Sequence, residues 1–501
     1  MTRFPKRPTD RVDAPANERR YARWLRLVWL LPIFAAFGIV GCDSNYSSGD
    51  RVLVAKAPYD LKLKPPERFD VVVFKYPKEP SKRGVPTNYI KRLIGLPGEI
   101  IAIFFGQLFR MPAPVGAPIP GEPENIPPLD KWAEGSQPHG HEYADFIRKG
   151  FETGSFEILR KPPVVMLAQR RIVFDNNFQP SDLRMFTPRW NPRDGSAWKS
   201  SGDRKTFTFG HEKKAENADK VDWLSYQHLP RPTGPIVGGM VVQKRLITDF
   251  MGYNSFNLEP PATNSIQVNW AGNLMLEANV TTDGTGGEFW MEVNKGIDRF
   301  QAKFDLATGQ CTLFRVDEEG KARQLDAKPT ALTGTGTHMV RFANFSAQLT
   351  VWVDGTLPFG NGVPYDPIEL GTKENPVTMD VIRTRCGPRP NDLERPASLG
   401  GKGMGATVAD IRLWRDTFYT MDVQRPDVQL NEDMLADPQQ WGTFHHLTPT
   451  GYSVYPGHYL CLGDNSTSSS DSRAWGLVPE RLMLGRALAV YFPIERAGLI
   501  R

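Results

Sequence analysis

Lys91 lies in the run Asn88-Tyr89-Ile90-Lys91-Arg92-Leu93-Ile94, flanked on both sides by aromatic and aliphatic residues. Such a run reads as a strand, and a lysine among apolar neighbours loses the water that stabilises its ammonium form, so its pKa falls. A neutral amine can take a proton from a serine hydroxyl, which makes Lys91 a candidate general base. On a sheet edge the same residue would lay its stem on the surface and keep its charge in water. Side-chain alternation sends Arg92 to the opposite face. Far downstream a second stretch carries polar groups in close succession: Gly463-Asp464-Asn465, then Ser469, Asp471, Arg473 and Gly476. Serine- and threonine-rich segments ordinarily form turns. Here Tyr459-Leu460-Cys461-Leu462 ahead of it and Trp475-Gly476-Leu477-Val478 behind it predict an ordered loop held between strands.

Asn88 to Glu99 and Gly463 to Gly476 resemble the lysine box and the Gly-Asp-Asn box of type I signal peptidases. These are membrane-bound serine proteases that cut signal peptides from exported proteins with a Ser/Lys dyad. The resemblance implies that Lys91 is the base and that the Ser469 hydroxyl orients its amine. It places Asp471 and Arg473 on an ion pair beneath the site, with Asp464 and Asn465 supporting it. Met483-Leu484-Gly485-Arg486-Ala487 continues the likeness, and Ser466 departs from it, standing where the family has arginine. No cofactor or metal is implied, and specificity would fall on small residues in an Ala-x-Ala pattern, presented as an extended strand.

The family's nucleophile box reads Ser-Met-x-Pro-Thr-Leu-x-x-Gly-Asp, whereas this chain reads Gly41-Cys42-Asp43-Ser44-Asn45-Tyr46-Ser47-Ser48-Gly49-Asp50. Counting back from Gly49-Asp50 puts Gly41 at the serine position, and neither Pro nor Thr is present. Three readings stay open. A loop three residues shorter makes Ser44 the nucleophile; Cys42 serves as a thiol nucleophile; or the fold persists without catalysis, leaving a membrane-tethered binding protein.

The elements that must hold these groups are mainly β. Arg51-Val52-Leu53-Val54-Ala55 alternates after the Gly49-Asp50 turn, Asp70 to Tyr76 has an unbroken apolar centre, and Glu99 to Ile103 follows the Gly95/Pro97-Gly98 turn. A chain of 501 residues exceeds what one core usually serves, and 43 prolines with 45 glycines favour turns and strands over long helices. The expected order is a basic N-terminus and anchor over 1–42, a first catalytic half over 43–105 and an irregular insertion over 106–235. A β-sandwich follows over 236–425, then a second catalytic half over 426–501. The sandwich rests on alternation at Leu274, Leu276, Ala278 and Val280, at Phe300, Ala302 and Phe304, at Thr312, Phe314 and Val316, and at Leu349, Val351 and Val353. Gly turns such as Thr308-Gly309 and Asp354-Gly355 separate them. Leu349 to Gly355 and Ala409 to Arg415 resemble laminin-G or concanavalin-like jelly rolls, which implies a carbohydrate or protein ligand, or a plain spacer.

Leu27 to Cys42 carries no charge, and Arg3, Lys6, Arg7, Arg11, Arg19, Arg20, Arg23 and Arg26 outnumber Asp10, Asp13 and Glu18 before it. This predicts one transmembrane helix in contact with membrane lipid, its N-terminus cytoplasmic and the rest of the chain on the outer face. A cleaved leader ending at a lipobox-like Ile39-Val40-Gly41-Cys42 is the alternative. The net charge of +5 from 61 Lys+Arg and 56 Asp+Glu is too small and dispersed for a nucleic-acid partner. Cys311 and Cys386 either pair or stay as separate buried thiols. His139-Gly140-His141 reads as a solvated loop.

Overall fold

The computed structural model describes residues 50–77, 87–114, 141–179, 186–192, 195–210, 220–230, 242–250, 268–284, 286–367, 372–423, 426–428, 430–431 and 433–501. Ser44, Cys42, the anchor expected over 1–42 and His139-Gly140 lie outside these residues. Among the described residues no helix is long and apolar enough to cross a membrane, and no His/Cys/Asp/Glu group is arranged to hold a metal.

The two ends of the chain interleave in one antiparallel sheet, ordered Arg51–Ala55, Met483–Phe492, Val71–Lys75, Asn88–Gly95, His458–Leu462 and Val478–Pro479. Val71–Lys75 pairs with the lysine strand so that Val72 lies opposite Lys91, and His458–Leu462 pairs on its other side with Leu462 opposite Arg92. This strand order joins the lysine strand to the strand that leads into the Gly-Asp-Asn loop. A smaller sheet, Thr450–Val454, Glu99–Phe104, Gln107–Pro112 and Glu157–Ile158, stands beside it. Its Ile100 to Phe104 are buried without interruption, as expected of a strand covered on both faces. The amphipathic helix His141–Glu152 packs there, with Phe151 against Phe104 and Phe109 and the Tyr143 hydroxyl 3.1 Å from Ser453 Oγ.

The remaining strands form a two-sheet sandwich. One sheet has eight strands, including Leu274–Asp283, Thr335–Ala343, Gln348–Val353 and Ala406–Arg415; the other has seven, including Glu288–Lys295, Asp298–Asp305, Gln310–Val316 and Ala397–Lys402. Leu276, Ala278, Val280, Phe300, Ala302, Phe304, Leu349, Val351 and Val353 are all fully buried, matching the alternation. Gln310–Val316 follows the expectation only in part: Thr312 and Val316 are buried, Phe314 is not. Cys311 and Leu313 are the fully buried positions, while Phe314 is partly exposed and stacks on Trp290. A register shift between Leu313 and Phe314 marks the irregularity.

The sandwich also reaches upstream of 236. Arg171–Asp175, Trp198–Ser200 and Phe207–Phe209 extend the first sheet, and Trp190–Asn191 and Asp222–Tyr226 the second. The stretch read as an irregular insertion therefore supplies further strands. Trp190–Asn191, Trp198–Ser200 and Phe207–Phe209 are too short for alternation to register, and large buried side chains such as Trp190, Trp198, Phe207 and Tyr226 anchor the added strands. Cys311 and Cys386 are separate buried thiols.

Asp50–Arg501 forms one compact unit, so the sandwich is docked on the other two sheets. Where the chain leaves the sandwich, the Phe418 ring fills the space beside Gly106, 2.2 Å from where a Cβ would sit; Gly106 also has φ +69°, a second reason for glycine there. Lys161 and Asp416 close the neck of the insertion with a 2.6 Å ion pair, their side chains 4% and 5% exposed. Removing one partner strands a charge in the interior, so Lys161→Met should lower stability by about 3–5 kcal/mol in urea unfolding. The double variant Lys161→Met/Asp416→Leu should recover most of that loss; equal losses in both would mean the pair carries none of the neck's stability.

Candidate active site

Alternation along Asn88–Gly95 puts Tyr89, Lys91 and Leu93 on one face and Arg92 and Ile94 on the other. The first face looks onto an apolar cluster that includes Val72, Phe74, Leu93, Cys461 and Trp475. Tyr89 stacks on Tyr76 with ring centres 4.8 Å apart and meets Trp475 edge-on, and the Lys91 amine lies 5.7 Å from the Tyr89 ring. Burial here pushes the Lys91 amine below the ordinary lysine pKa. The Asp471 carboxylate opposes that shift, and the Arg473 guanidinium adds to it. Among the described residues Lys91 forms no ion pair.

Gly463 opens the loop directly over this amine. A Cβ at Gly463 would fall 1.9 Å from Ser469 Oγ and 3.5 Å from Lys91 Nζ, so both functional groups border the space that the glycine leaves free. Ser469 is 6% exposed, and among the described residues its hydroxyl has no hydrogen-bond partner. A buried hydroxyl without a partner is costly, and here it lies beside an amine and a vacant side-chain position.

Asp471 is fully buried beneath the loop. It accepts from the Gly463 N–H at 2.9 Å and from Arg473 Nε at 2.9 Å and Nη2 at 2.7 Å, and it caps the short helix Ser472–Trp475 through the Arg473 N–H. Asp464 lies on the other face, where Arg92 grips it with Nε at 2.9 Å and Nη2 at 2.8 Å. Burial opposes the Asp464 charge, but the Arg92 guanidinium wins and holds its carboxyl below the usual range. Asn465 is partly buried, and its Oδ1 has no partner among the described residues. Lys91, Asp464, Asn465, Ser469, Asp471 and Arg473 thus come together in one place, while Ser44 lies outside the described residues.

Two further residues reach this centre. Gln169 Nε2 donates to Asp464 Oδ1 at 2.7 Å and to the Tyr419 hydroxyl at 2.8 Å. Thr420 donates its N–H to Ser466 Oγ and takes two bonds from Arg473 Nη1, on its carbonyl and on its hydroxyl. Nothing local announces Gln169, whose partner is 295 positions away. Ser466 offered the one hint: where the family carries arginine, a short hydroxyl leaves room for Thr420 to enter.

The family model described as signal peptidase, peptidase S26, matches residues 26–139 and 410–492, the two blocks whose strands interleave in the first sheet. These two blocks are similar to the signal peptidase S26 family. The chain is similar to the probable signal peptidase I-2 of Synechocystis sp., 50% identical over 83 residues that cover 16% of this chain and 35% of that protein. It is also similar to signal peptidase I of Pseudomonas fluorescens, 40% identical over 63 residues that cover 11% of this chain and 20% of that one. The chain thus spans about a third or less of the length of these relatives. Among solved structures, a carbohydrate-binding module from Bacillus subtilis overlaps 46% of this chain and 98% of its own at 8% identity, with a TM-score of 0.25. The mouse laminin alpha1 chain overlaps 30% of this chain and 38% of its own at 12% identity, with a TM-score of 0.19. In the S26 frame, the sandwich is an insertion between the lysine box and the Gly-Asp-Asn box.

Proposed function

We propose that the protein is a membrane-anchored serine endopeptidase that removes signal peptides from exported preproteins, with Ser44 as nucleophile and Lys91 as base. The observation that carries this reading is the Lys91 amine, held among apolar side chains next to Gly463 and the partnerless Ser469 hydroxyl. Lys91 Nζ takes the Ser44 proton, and the oxygen adds to the carbonyl at the cleavage site. Backbone N–H groups near the nucleophile hold the oxyanion. The lysine then returns the proton to the departing amine, and water activated by the same amine hydrolyses the acyl-enzyme. Ser469 accepts or donates at the amine and fixes its direction. Anchoring by the N-terminal apolar segment places the site on the outer face of the cytoplasmic membrane, where signal peptides emerge. The sandwich then presents its own surface to a carbohydrate or protein on that side.

The test is cleavage of a preprotein bearing Ala-x-Ala by the detergent-solubilised full chain, with Lys91→Ala, Ser44→Ala and Cys42→Ser alongside. Wild-type cleavage that disappears in Lys91→Ala and Ser44→Ala is the expected result. If Ser44→Ala stays active and Cys42→Ser does not, the nucleophile assignment moves to Cys42. A wild-type chain that leaves the preprotein intact while a control signal peptidase cuts it would leave the sandwich as the working part of a tethered binding protein.

A further inference from the structure

We propose that Gln169, from the segment leading into the sandwich, and Thr420, from the segment leaving it, are positioning residues of the Lys91/Ser469 centre, so that the docked sandwich is a working part of the peptidase. The proposal rests on the peptidase reading above. Two arms run from the insertion to the centre, one on each face of the lysine strand.

The first arm starts at Gln169, fully buried at the end of the helix Pro163–Gln169. Its amide holds Asp464, and Asp464 takes two N–H groups from Arg92, the residue next to Lys91. Arg171 Nη2 adds a bond to the Asp464 carbonyl at 3.2 Å. The second arm starts at Thr420, also fully buried. Its carbonyl and hydroxyl accept from Arg473 Nη1 at 2.7 Å and 2.8 Å, and its N–H reaches Ser466 Oγ at 2.9 Å. Arg473 in turn holds Asp471, which takes the Gly463 N–H. Gly463 is the residue whose missing side chain leaves room for the amine and for Ser469.

The arms share a root. Thr417 Oγ1 donates to the Gln169 carbonyl at 2.9 Å, and Tyr419 accepts from the Gln169 amide, so the entry and exit segments of the insertion are tied together before either touches the loop. A spacer domain would need only its neck. These residues instead supply hydrogen bonds to the carboxylate and the guanidinium that flank the base and fix the loop over it. Small misplacements of a base cost much in rate because proton transfer needs hydrogen-bond reach.

The test uses the full chain and an Ala-x-Ala preprotein, measuring kcat and KM separately for wild type, Thr420→Val, Thr420→Ser and Gln169→Met. Thermal melts and hydrogen exchange over the Gly463–Arg473 segment accompany the kinetics. Thr420→Val keeps the shape and loses the hydroxyl acceptor; it should lower kcat by about tenfold to a hundredfold while KM stays within about twofold. It should also speed exchange in that segment without speeding it in the sandwich strands. Thr420→Ser should restore kcat, and Gln169→Met should repeat the kcat loss. Should Thr420→Val fail to fold, Gln169→Met carries the same measurement. If both variants fold and keep wild-type kcat, or if Thr420→Ser loses as much as Thr420→Val, the two residues are packing only and the proposal falls. A wild type that does not cleave overturns the peptidase reading itself, and this proposal with it.

Discussion

Lys91→Met should abolish preprotein cleavage, by about a thousandfold or more, and at the same time raise the melting temperature at neutral pH. Both effects come from one cause. Burial beside Val72, Leu93 and Cys461 makes the charged amine unfavourable in the folded chain, and the Asp471 carboxylate only partly offsets this. The folded pKa lies below the unfolded one, so between the two the unfolded chain binds more protons and stability climbs as pH rises. Below the folded pKa the penalty is present in full; near the ordinary lysine value it vanishes. The stabilisation from Lys91→Met should therefore be largest at neutral pH and fade on the alkaline side, while wild-type kcat/KM rises as the amine loses its proton. Melting curves of both chains from neutral to alkaline pH check this. A stability difference that does not change with pH would mean that the lysine is not desolvated.

Arg473→Met should cost about 3–5 kcal/mol in urea unfolding and remove activity with it. The Arg473 and Asp471 side chains are 1% and 0% exposed, and the guanidinium spans Asp471, both oxygens of Thr420 and both oxygens of Ser466. Without it, a buried carboxylate keeps only the Gly463 and Arg473 backbone N–H groups. Arg473→Lys should rescue little, because a compact ammonium cannot reach six acceptors arranged around a planar fork. A loss below about 1 kcal/mol would show that the pair behaves like a surface contact and does not hold the loop.

Much of the fold was legible where its signal is local. The lysine strand, its apolar neighbours and the turn at Pro97-Gly98 are contiguous, and hydrophobic periodicity located Val71–Lys75, Glu99–Phe104 and the long sandwich strands. The Asp471/Arg473 pair is two positions apart and came with the motif. Phe314 departs from the expected alternation because the Thr-Leu-Phe run offers no clean period and the shift at Leu313/Phe314 is a property of the pairing. Arg171–Asp175 reads as a strand-like island in the sequence, but Trp190–Asn191, Trp198–Ser200 and Phe207–Phe209 escaped notice because two or three residues carry no period, and their place is set by large side chains filling a distant core.

Residue order alone determined the chemistry at hand: a lysine stripped of water by its own strand, a glycine-led polar loop and a serine and an ion pair within that loop. Folding decided who else attends the base. Hydrogen bonds from Gln169 to Asp464 and from Arg473 to Thr420 join residues 295 and 53 positions apart, and no local spacing encodes them. They form because the neck of the insertion, closed by Lys161 and Asp416, delivers buried donors and acceptors to charges that have no water to satisfy them.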